Sequence, residues 1–177
     1  MDDLFIFFCY TSNQAMIMEK RDLYNENKEL TGKTIYKNEE IPEGYFILMV
    51  VAFIENNEGL FLIQKRSAIK GGEWAFTGGH PKSGENSKEG LYTEIKEELG
   101  IDAINPILFK EAKGKNTFCD LYYLKQDIKL EDIIKQDEEV EEVVYASKEE
   151  IEDLFNKGLF KKGHYMMFMD LLKYKGE

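Results

Sequence analysis

The run from Phe46 to Ile54, Phe-Ile-Leu-Met-Val-Val-Ala-Phe-Ile, constrains the fold of this chain more than any other segment. It is apolar and β-rich throughout, without the polar alternation of a strand that faces water on one side. A strand of this kind is buried on both faces and needs a layer of structure above and below it. The chain must therefore place a sheet at its centre with helices on both sides. Its 177 residues suffice for one such core and are short for two.

The flanking segments fit that plan. Asn56 to Gly59 turns the chain into Leu60–Ile63, the expected antiparallel partner of the central strand. Tyr24 to Tyr36 reads as a hairpin with turn chemistry at Asn25-Glu26-Asn27 and at Thr31-Gly32. Trp74 to Thr77 is a short strand running into Gly78-Gly79. Asn86 or Ser87 can cap a helix ending near Leu99, with Gly100 just beyond it. Strands are expected over 107–112, 118–124 and 140–145. Ser147 and Glu150 form a capping-box pattern for a helix through Phe155. A last helix, about Lys162 to Lys173, carries Tyr165, Phe168, Met169 and Leu172 at helical spacing, which reads as core packing. Trp74 and His164 are read as structural. The fold class is α+β, an α/β/α sandwich around a mixed sheet.

Leu4 to Phe8 is apolar, but it is short and follows Asp2-Asp3 rather than a basic stretch, unlike a signal peptide. Residues 18–177 read as a single domain opening near Met18, and residues 1–17 as an N-terminal extension whose removal should change stability and activity little. The alternative is an extra edge strand.

Net charge is −11, from 34 acidic against 23 basic residues, so a nucleic acid polymer is not an expected partner. A small anion remains compatible if cations or a metal reverse the sign locally. The two cysteines, Cys9 and Cys119, make neither a disulfide framework nor a CxxC pair, and a cytoplasmic setting follows. No apolar run reaches the roughly 18 residues of a membrane span, so no membrane partner is expected. Association into a homodimer is compatible with the sequence.

Chemistry concentrates between Gly79 and Ile101. On a helix Glu94, Glu97 and Glu98 stand at i, i+3 and i+4, so their carboxylates converge, beside an apolar stripe of Leu91, Ile95 and Leu99. Three such carboxylates repel one another unless a cation sits among them, and hard oxygen donors suit Mg²⁺ or Mn²⁺. Such a metal can bridge phosphate oxygens and acidify a bound water. Paired glutamates also occur at 138–139, 141–142 and 149–150, so an acidic surface face is the bland alternative. The glycines decide against it. Gly79, Glu85, Glu94, Glu97, Glu98 and Gly100, with Ile95 and Ile101, match the Nudix box at all but one of its fixed positions. Such a match arises by chance on the order of once in a million starting positions.

The chain thus resembles the Nudix family over roughly residues 19–156. The opening from Asp22 to Lys33, Gln64 to Ser67, Trp74, Gly78 to Pro81 and the late Asp137 to Tyr145 resemble the branch nearest to isopentenyl-diphosphate isomerases. The resemblance implies a Mg²⁺- or Mn²⁺-dependent attack of water on a small-molecule diphosphate, a nucleoside diphosphate derivative foremost. Carried over by position, Glu94, Glu97, Glu98 and the Gly78 carbonyl would hold the metal, with Glu94 and Glu97 as catalytic residues and Glu94 preferred for acting on the water. Arg66, Lys65 and His80 are candidates for binding substrate, with Lys70 a weaker one. Glu85, Glu138 and Glu139 are additional candidates.

At the residue before the first box glutamate, usually Arg, this chain has Thr93. The expectation is that Glu85 and Glu94 lack a brace, that Lys82 or Lys88 stands in for it, and that Thr93→Arg would improve stability or turnover. Two rivals differ in class. A nucleotide sensor without catalysis would fit Thr93, although every box carboxylate is kept. An isomerase would need a Cys where Gly78 stands and three histidines, whereas the chain has only His80 and His164.

Overall fold

The computed structural model describes residues 19–177; the N-terminal extension expected over 1–17 lies outside the described residues. A hairpin of β1 (Lys20–Tyr24) and β2 (Leu30–Tyr36) comes first. β3 (Ile47–Glu55), β4 (Phe61–Arg66), β5 (Trp74–Ala75) and β6 (Thr77–Gly79) lead to helix α1 (Ser87–Leu99). β7 (Ile107–Lys113), β8 (Thr117–Lys125) and β9 (Val140–Ala146) follow, then α2 (Lys148–Asn156) and α3 (Lys162–Lys175). The main sheet runs β5-β4-β3-β8-β7, with β6 on β3 and β9 on β4. The β3–β8 pair is parallel and the other pairs are antiparallel, so the sheet is mixed.

β3 is buried on both faces, as its sequence demands. Val50, Ala52 and Ile54 pack with Leu91, Ile95 and Leu99 of α1. Val51 and Phe53 point the other way, into a cluster with Ile151 of α2 and Phe168, Leu171 and Leu172 of α3. In that second layer the Phe53 and Phe76 rings lie 4.6 Å apart, and Phe61 meets Phe168 edge-on at 4.8 Å. Burying each such ring contributes about 1.5–3 kcal/mol, enough for this layer to fix α3 against the sheet.

Two expectations need correcting and one holds in part. β4 is the antiparallel partner expected for β3 across the turn at 56–59, but the two pair only at Glu55↔Phe61. Beyond it β3 pairs with β6 on that side while β4 turns to β9 and β5. The two strands splay, and the opening between them becomes part of the site. Thr31-Gly32 is not a turn but lies within β2, where the register with β1 shifts at a bulge. Met169 is 43% exposed, because it falls at the edge of the stripe formed by Tyr165, Phe168 and Leu172.

The hairpin is fastened over the mouth of the sheet. Tyr24 and Phe46 exchange backbone hydrogen bonds of 2.8 and 2.9 Å. Lys28 reaches the buried Asp120 of β8 at 2.6 Å. Asp22 accepts from the Ser83 hydroxyl at 2.6 Å and from the Gly84 N–H at 2.8 Å, which ties the hairpin to the loop before α1.

Candidate active site

Helix α1 is delimited by its own chemistry. Asn86 accepts from the N–H groups of Lys88 and Glu89, and Glu89 reaches back to Asn86, completing a capping box. Gly100 ends the helix in the left-handed region at φ 70°. Between these ends, Ile95 and Leu99 enter the core while Glu94, Glu97 and Glu98 line up toward β6 and the hairpin.

The three carboxylates differ in surroundings. Glu98 is buried; its Oε2 accepts from the Gln64 amide at 2.9 Å and from the Gly78 N–H at 3.2 Å, which leaves Oε1 for a ligand. Gln64 is held in turn by the Thr77 hydroxyl at 3.2 Å. Burial pushes the Glu98 carboxyl up to about 7 against the pull of those two hydrogen bonds. Burial, and then the charges of Glu98 and Glu97, push Glu94 up to about 8. Glu97 is half exposed and pairs with the Lys82 ammonium. Among the described residues, no three His, Cys, Asp or Glu side chains are gathered to hold a metal as they stand.

β6 is packed closely between α1 and β3. A Cβ on Gly79 would collide with the Glu94 carboxyl, and one on Gly78 with the Val50 carbonyl. His80 follows, with its Nδ1 2.8 Å from the Leu48 carbonyl, so that nitrogen carries the proton and Nε2 keeps its lone pair. Burial and the nearby Arg21 lower its pKa to about 4, so the ring is neutral at working pH.

Two adjoining cavities flank the carboxylates. An inner one of about 200 Å³ is bounded by Gln64, Gly78, Gly79, His80, Glu94 and Glu98 among others. Arg21, Lys37, Arg66, Lys70 and Lys161 also line it. An outer groove of about 1340 Å³ runs past Glu97, Lys82 and Lys96. Glu19, Lys37, Glu94 and Glu139 line both and form the neck between them.

The residues singled out from the sequence are not all brought together. Glu94, Glu98, Gly78, Arg66, His80 and Lys70 line the inner cavity; Glu139 lines both cavities and holds Lys70 at 2.7 Å. Lys65 does not line either: strand alternation turns it from Arg66 to the surface, where it pairs with Glu141 at 2.7 Å. Glu138 contributes its backbone carbonyl to the Ser67 hydroxyl at 2.7 Å, and its side chain lines neither cavity. Glu85 sits behind α1, with one oxygen accepting from the Thr93 hydroxyl at 2.7 Å and the other from the Lys82 N–H at 2.8 Å. The expected missing brace is thus corrected: Thr93 reaches Glu85 itself, because both lie on the same side of the first helical turns. Lys82 gives Glu85 only its backbone and spends its ammonium on Glu97, while Lys88 lies over the Tyr92 ring. His164 is buried, its Nδ1 accepting the Phe76 N–H at 3.2 Å, and it lines the inner cavity as well.

Sequence reading missed Glu19, Arg21 and Lys37 of the hairpin, Gln64, and Lys161 before α3. Only Gln64 carried a signal: it shares a strand face with Leu62, which packs toward α1.

Residues 46–168 match the NUDIX domain, and the chain belongs to that family, hydrolases acting on phosphorus–oxygen anhydrides. A protein described as an uncharacterized Nudix hydrolase, from Listeria innocua, is 38% identical over 149 residues, covering 81% of this chain and 88% of that one. The nucleoside triphosphatase NudI of an Enterobacter species is 28% identical over 59% of this chain and 85% of its own. The crystal structure of DR0079 from Deinococcus radiodurans shares the fold, with a TM-score of 0.67 at 23% identity over 81% of this chain and 93% of that one. So does the NUDIX domain of Shewanella oneidensis NrtR, solved with ADP ribose: TM-score 0.60 at 12% identity, covering 72% and 87% of the two chains. Family members generally use divalent metal ions. Among the described residues no helix is long and apolar enough to cross a membrane.

Proposed function

We propose that this chain hydrolyses the diphosphate linkage of a small molecule, a nucleoside diphosphate derivative foremost, with Mg²⁺ or Mn²⁺ as cofactor. The observation that carries the reading is one cavity lined both by the crowded carboxyls of Glu94 and Glu98 and by five cationic side chains, two of them paired with Glu19 and Glu139.

The donor set fits a hard divalent ion. Glu94 and Glu98 are crowded carboxyls that burial holds near neutrality, and a cation among them would favour their charged forms. Glu94, Glu98, a released Glu97 and the Gly78 carbonyl would hold the ion. When bound, it would neutralise phosphate oxygens and acidify water at the site.

The remaining work falls to the chain's own residues. Arg66, Lys70, Lys37 and Arg21 bind phosphoryl oxygens through charge-assisted hydrogen bonds. Glu94, which faces both cavities, takes a proton from the attacking water, with Glu97 as the second carboxylate beside it. The water oxygen bonds to one phosphorus, and the bridging P–O bond breaks with its electron pair on the departing oxygen. One P–O–P linkage and one water become two P–OH ends. Glu139 adds a carboxylate at the neck.

NudI, a relative named as a nucleoside triphosphatase, supports the nucleotide class. The likeness to the isopentenyl-diphosphate isomerase branch is read as a shared way of holding a diphosphate, without the isomerase reaction. A cytoplasmic setting fits the charge and the cysteine content. A library of nucleoside di- and triphosphates, sugar nucleotides and dinucleoside polyphosphates, scored for released phosphate with Mg²⁺ and Mn²⁺, tests the reading. Turnover of at least one member is expected, and turnover of none with either metal contradicts it.

A further inference from the structure

The hairpin adds to the site a residue from outside the matched domain. It precedes residues 46–168, which match the NUDIX domain, yet it places Arg21 in the wall of the inner cavity. Among 23 basic residues the chain has only two arginines, Arg21 and Arg66, and both line that cavity. A guanidinium offers a rigid fork of donors, which an ammonium does not. Arg21 is incompletely matched: its side chain is 13% exposed, Glu19 stands 3.6 Å from its Nε, and that Nε has no hydrogen-bond acceptor among the described residues. Glu19, Glu94, Glu98 and Glu139 line the same cavity, so the surroundings are acidic, but none of them takes the Nε proton. An arginine so loosely paired stays in place only if its backbone is held.

The hairpin is held unevenly. Its far part is fixed by burial: Leu23 and Ile35 pack with Ile47, Tyr24 packs with Leu48 and Phe118, and Lys28 reaches Asp120. The near part, residues 19–22, has no apolar side chain to bury. Its hydrogen bonds beyond the hairpin all go to Ser83 and Gly84 among the described residues. The Ser83 N–H donates to the Lys20 carbonyl at 2.8 Å, and Asp22 takes the Ser83 hydroxyl on one oxygen and the Gly84 N–H on the other. Two donors on two oxygens require a carboxylate; an asparagine would turn its own N–H against one of them. Gly84 presents its N–H from the left-handed region, at φ 92°. The next residue, Glu85, fastens the same loop to Thr93, beside Glu94. Asp22 and Glu85 thus form one line of bonds from β1 to the helix that carries the carboxylates.

We propose that Asp22 is a positioning residue: its clasp on Ser83 and Gly84 holds Arg21 in the inner cavity, and through Arg21 it sets the affinity for substrate. Asp22 itself lines neither cavity, so its effect on substrate passes through the elements it joins. The effect on substrate rests on the hydrolase reading; the clasp on Arg21 does not.

Two measurements on the full chain test this. With Mg²⁺ and the best-hydrolysed member of the diphosphate library, Asp22→Asn should raise KM fivefold or more and change kcat less than twofold. Arg21→Met should raise KM likewise, and the double variant should be no worse than Arg21→Met alone, because both changes act through one guanidinium. The second measurement needs no substrate. Two arginines give two Nε–H signals by NMR, which Arg21→Met assigns, and Asp22→Asn should speed the exchange of the Arg21 proton with water tenfold or more while that of Arg66 stays the same. Ser83→Ala removes one donor from the other side of the clasp and should act in the same direction to a smaller degree, which decides the matter if Asp22→Asn does not fold. Arg21 exchange unchanged in these variants, an unchanged KM in Asp22→Asn, or KM effects of Asp22→Asn and Arg21→Met that multiply, overturns the proposal and leaves the hydrolase reading intact. If no diphosphate is hydrolysed at all, the hydrolase reading fails, and the Arg21 exchange still decides the clasp.

Discussion

The Thr93 hydroxyl donates to Glu85 over 2.7 Å, and the Lys82 N–H takes the other Glu85 oxygen at 2.8 Å, so one carboxylate fastens the loop before α1 to the helix. Thr93→Val keeps the shape and removes one donor. Hydrogen bonds to charged groups are worth about 1.5–3 kcal/mol, so a loss of about 1–2 kcal/mol is expected at this part-buried place. Thr93→Arg must displace that bond and should give no gain in kcat/KM. Urea unfolding and steady-state kinetics check both; an Arg variant that is faster and more stable would show that Glu85 is underbraced after all.

Gly78 and Gly79 should fail differently. Alanine at Gly79 meets the Glu94 carboxyl, which can swing aside, whereas alanine at Gly78 meets the Val50 backbone, which cannot. Gly79→Ala should fold and lose tenfold or more in apparent Mg²⁺ affinity. Gly78→Ala should unfold at distinctly lower urea concentration. Equal melting of the two variants would contradict the packing described here.

If Glu97 joins the proposed metal site, Lys82 competes with the ion for it. Both side chains are nearly half exposed, so the pair is weak; such pairs are worth about 0.2–1 kcal/mol. Lys82→Met should tighten Mg²⁺ binding by at most about fivefold on that scale. Weaker binding in the variant would mean that Lys82 orders the site rather than blocking it.

Stability without metal should depend on pH in a specific window. Glu94 and Glu98 titrate in the fold near 8 and 7, above the 4.5 of the free side chain, so the folded state binds more protons and stability falls as pH rises through this range. His80 and His164 titrate near 4 and 3, below the ordinary 6.5, and make stability rise only up to about pH 6.5. From about 6.5 to 8 the glutamate pair acts alone. Melting temperature in chelator should therefore drop across that window, and Mg²⁺ should stabilise more at pH 8 than at 6.5. A flat chelator profile, or Mg²⁺ stabilisation that shrinks with pH, would contradict this.

What could be read from the sequence was whatever one segment decides locally. The apolar run of β3 required layers on both faces, the caps at Asn86 and Gly100 bounded α1, and the spacing of Glu94, Glu97 and Glu98 placed them on one helix. What could not be read depends on distant elements. Arg21 and Lys37 join the site because Asp22 and Tyr24 tie the hairpin down. Lys161 joins through its backbone bond to Trp74. The splay of β3 from β4 follows from β6 and β9 each claiming one of them, which no local pattern announces. Thr93 looked like a loss because the comparison was with a longer side chain, while the distance from Thr93 to Glu85 was invisible.

The central claim is that Glu98 helps hold a cation on which hydrolysis depends, and Glu98→Gln tests it most directly. The amide keeps the shape beside Gln64 and Gly78 while removing the charge, so folding should survive. With the best diphosphate substrate and saturating Mg²⁺, kcat should fall a hundredfold or more, about 3 kcal/mol of transition-state stabilisation, and the unaltered chain should stop in chelator. Turnover that persists without divalent metal, or a Glu98→Gln chain with near-normal kcat, would contradict the account.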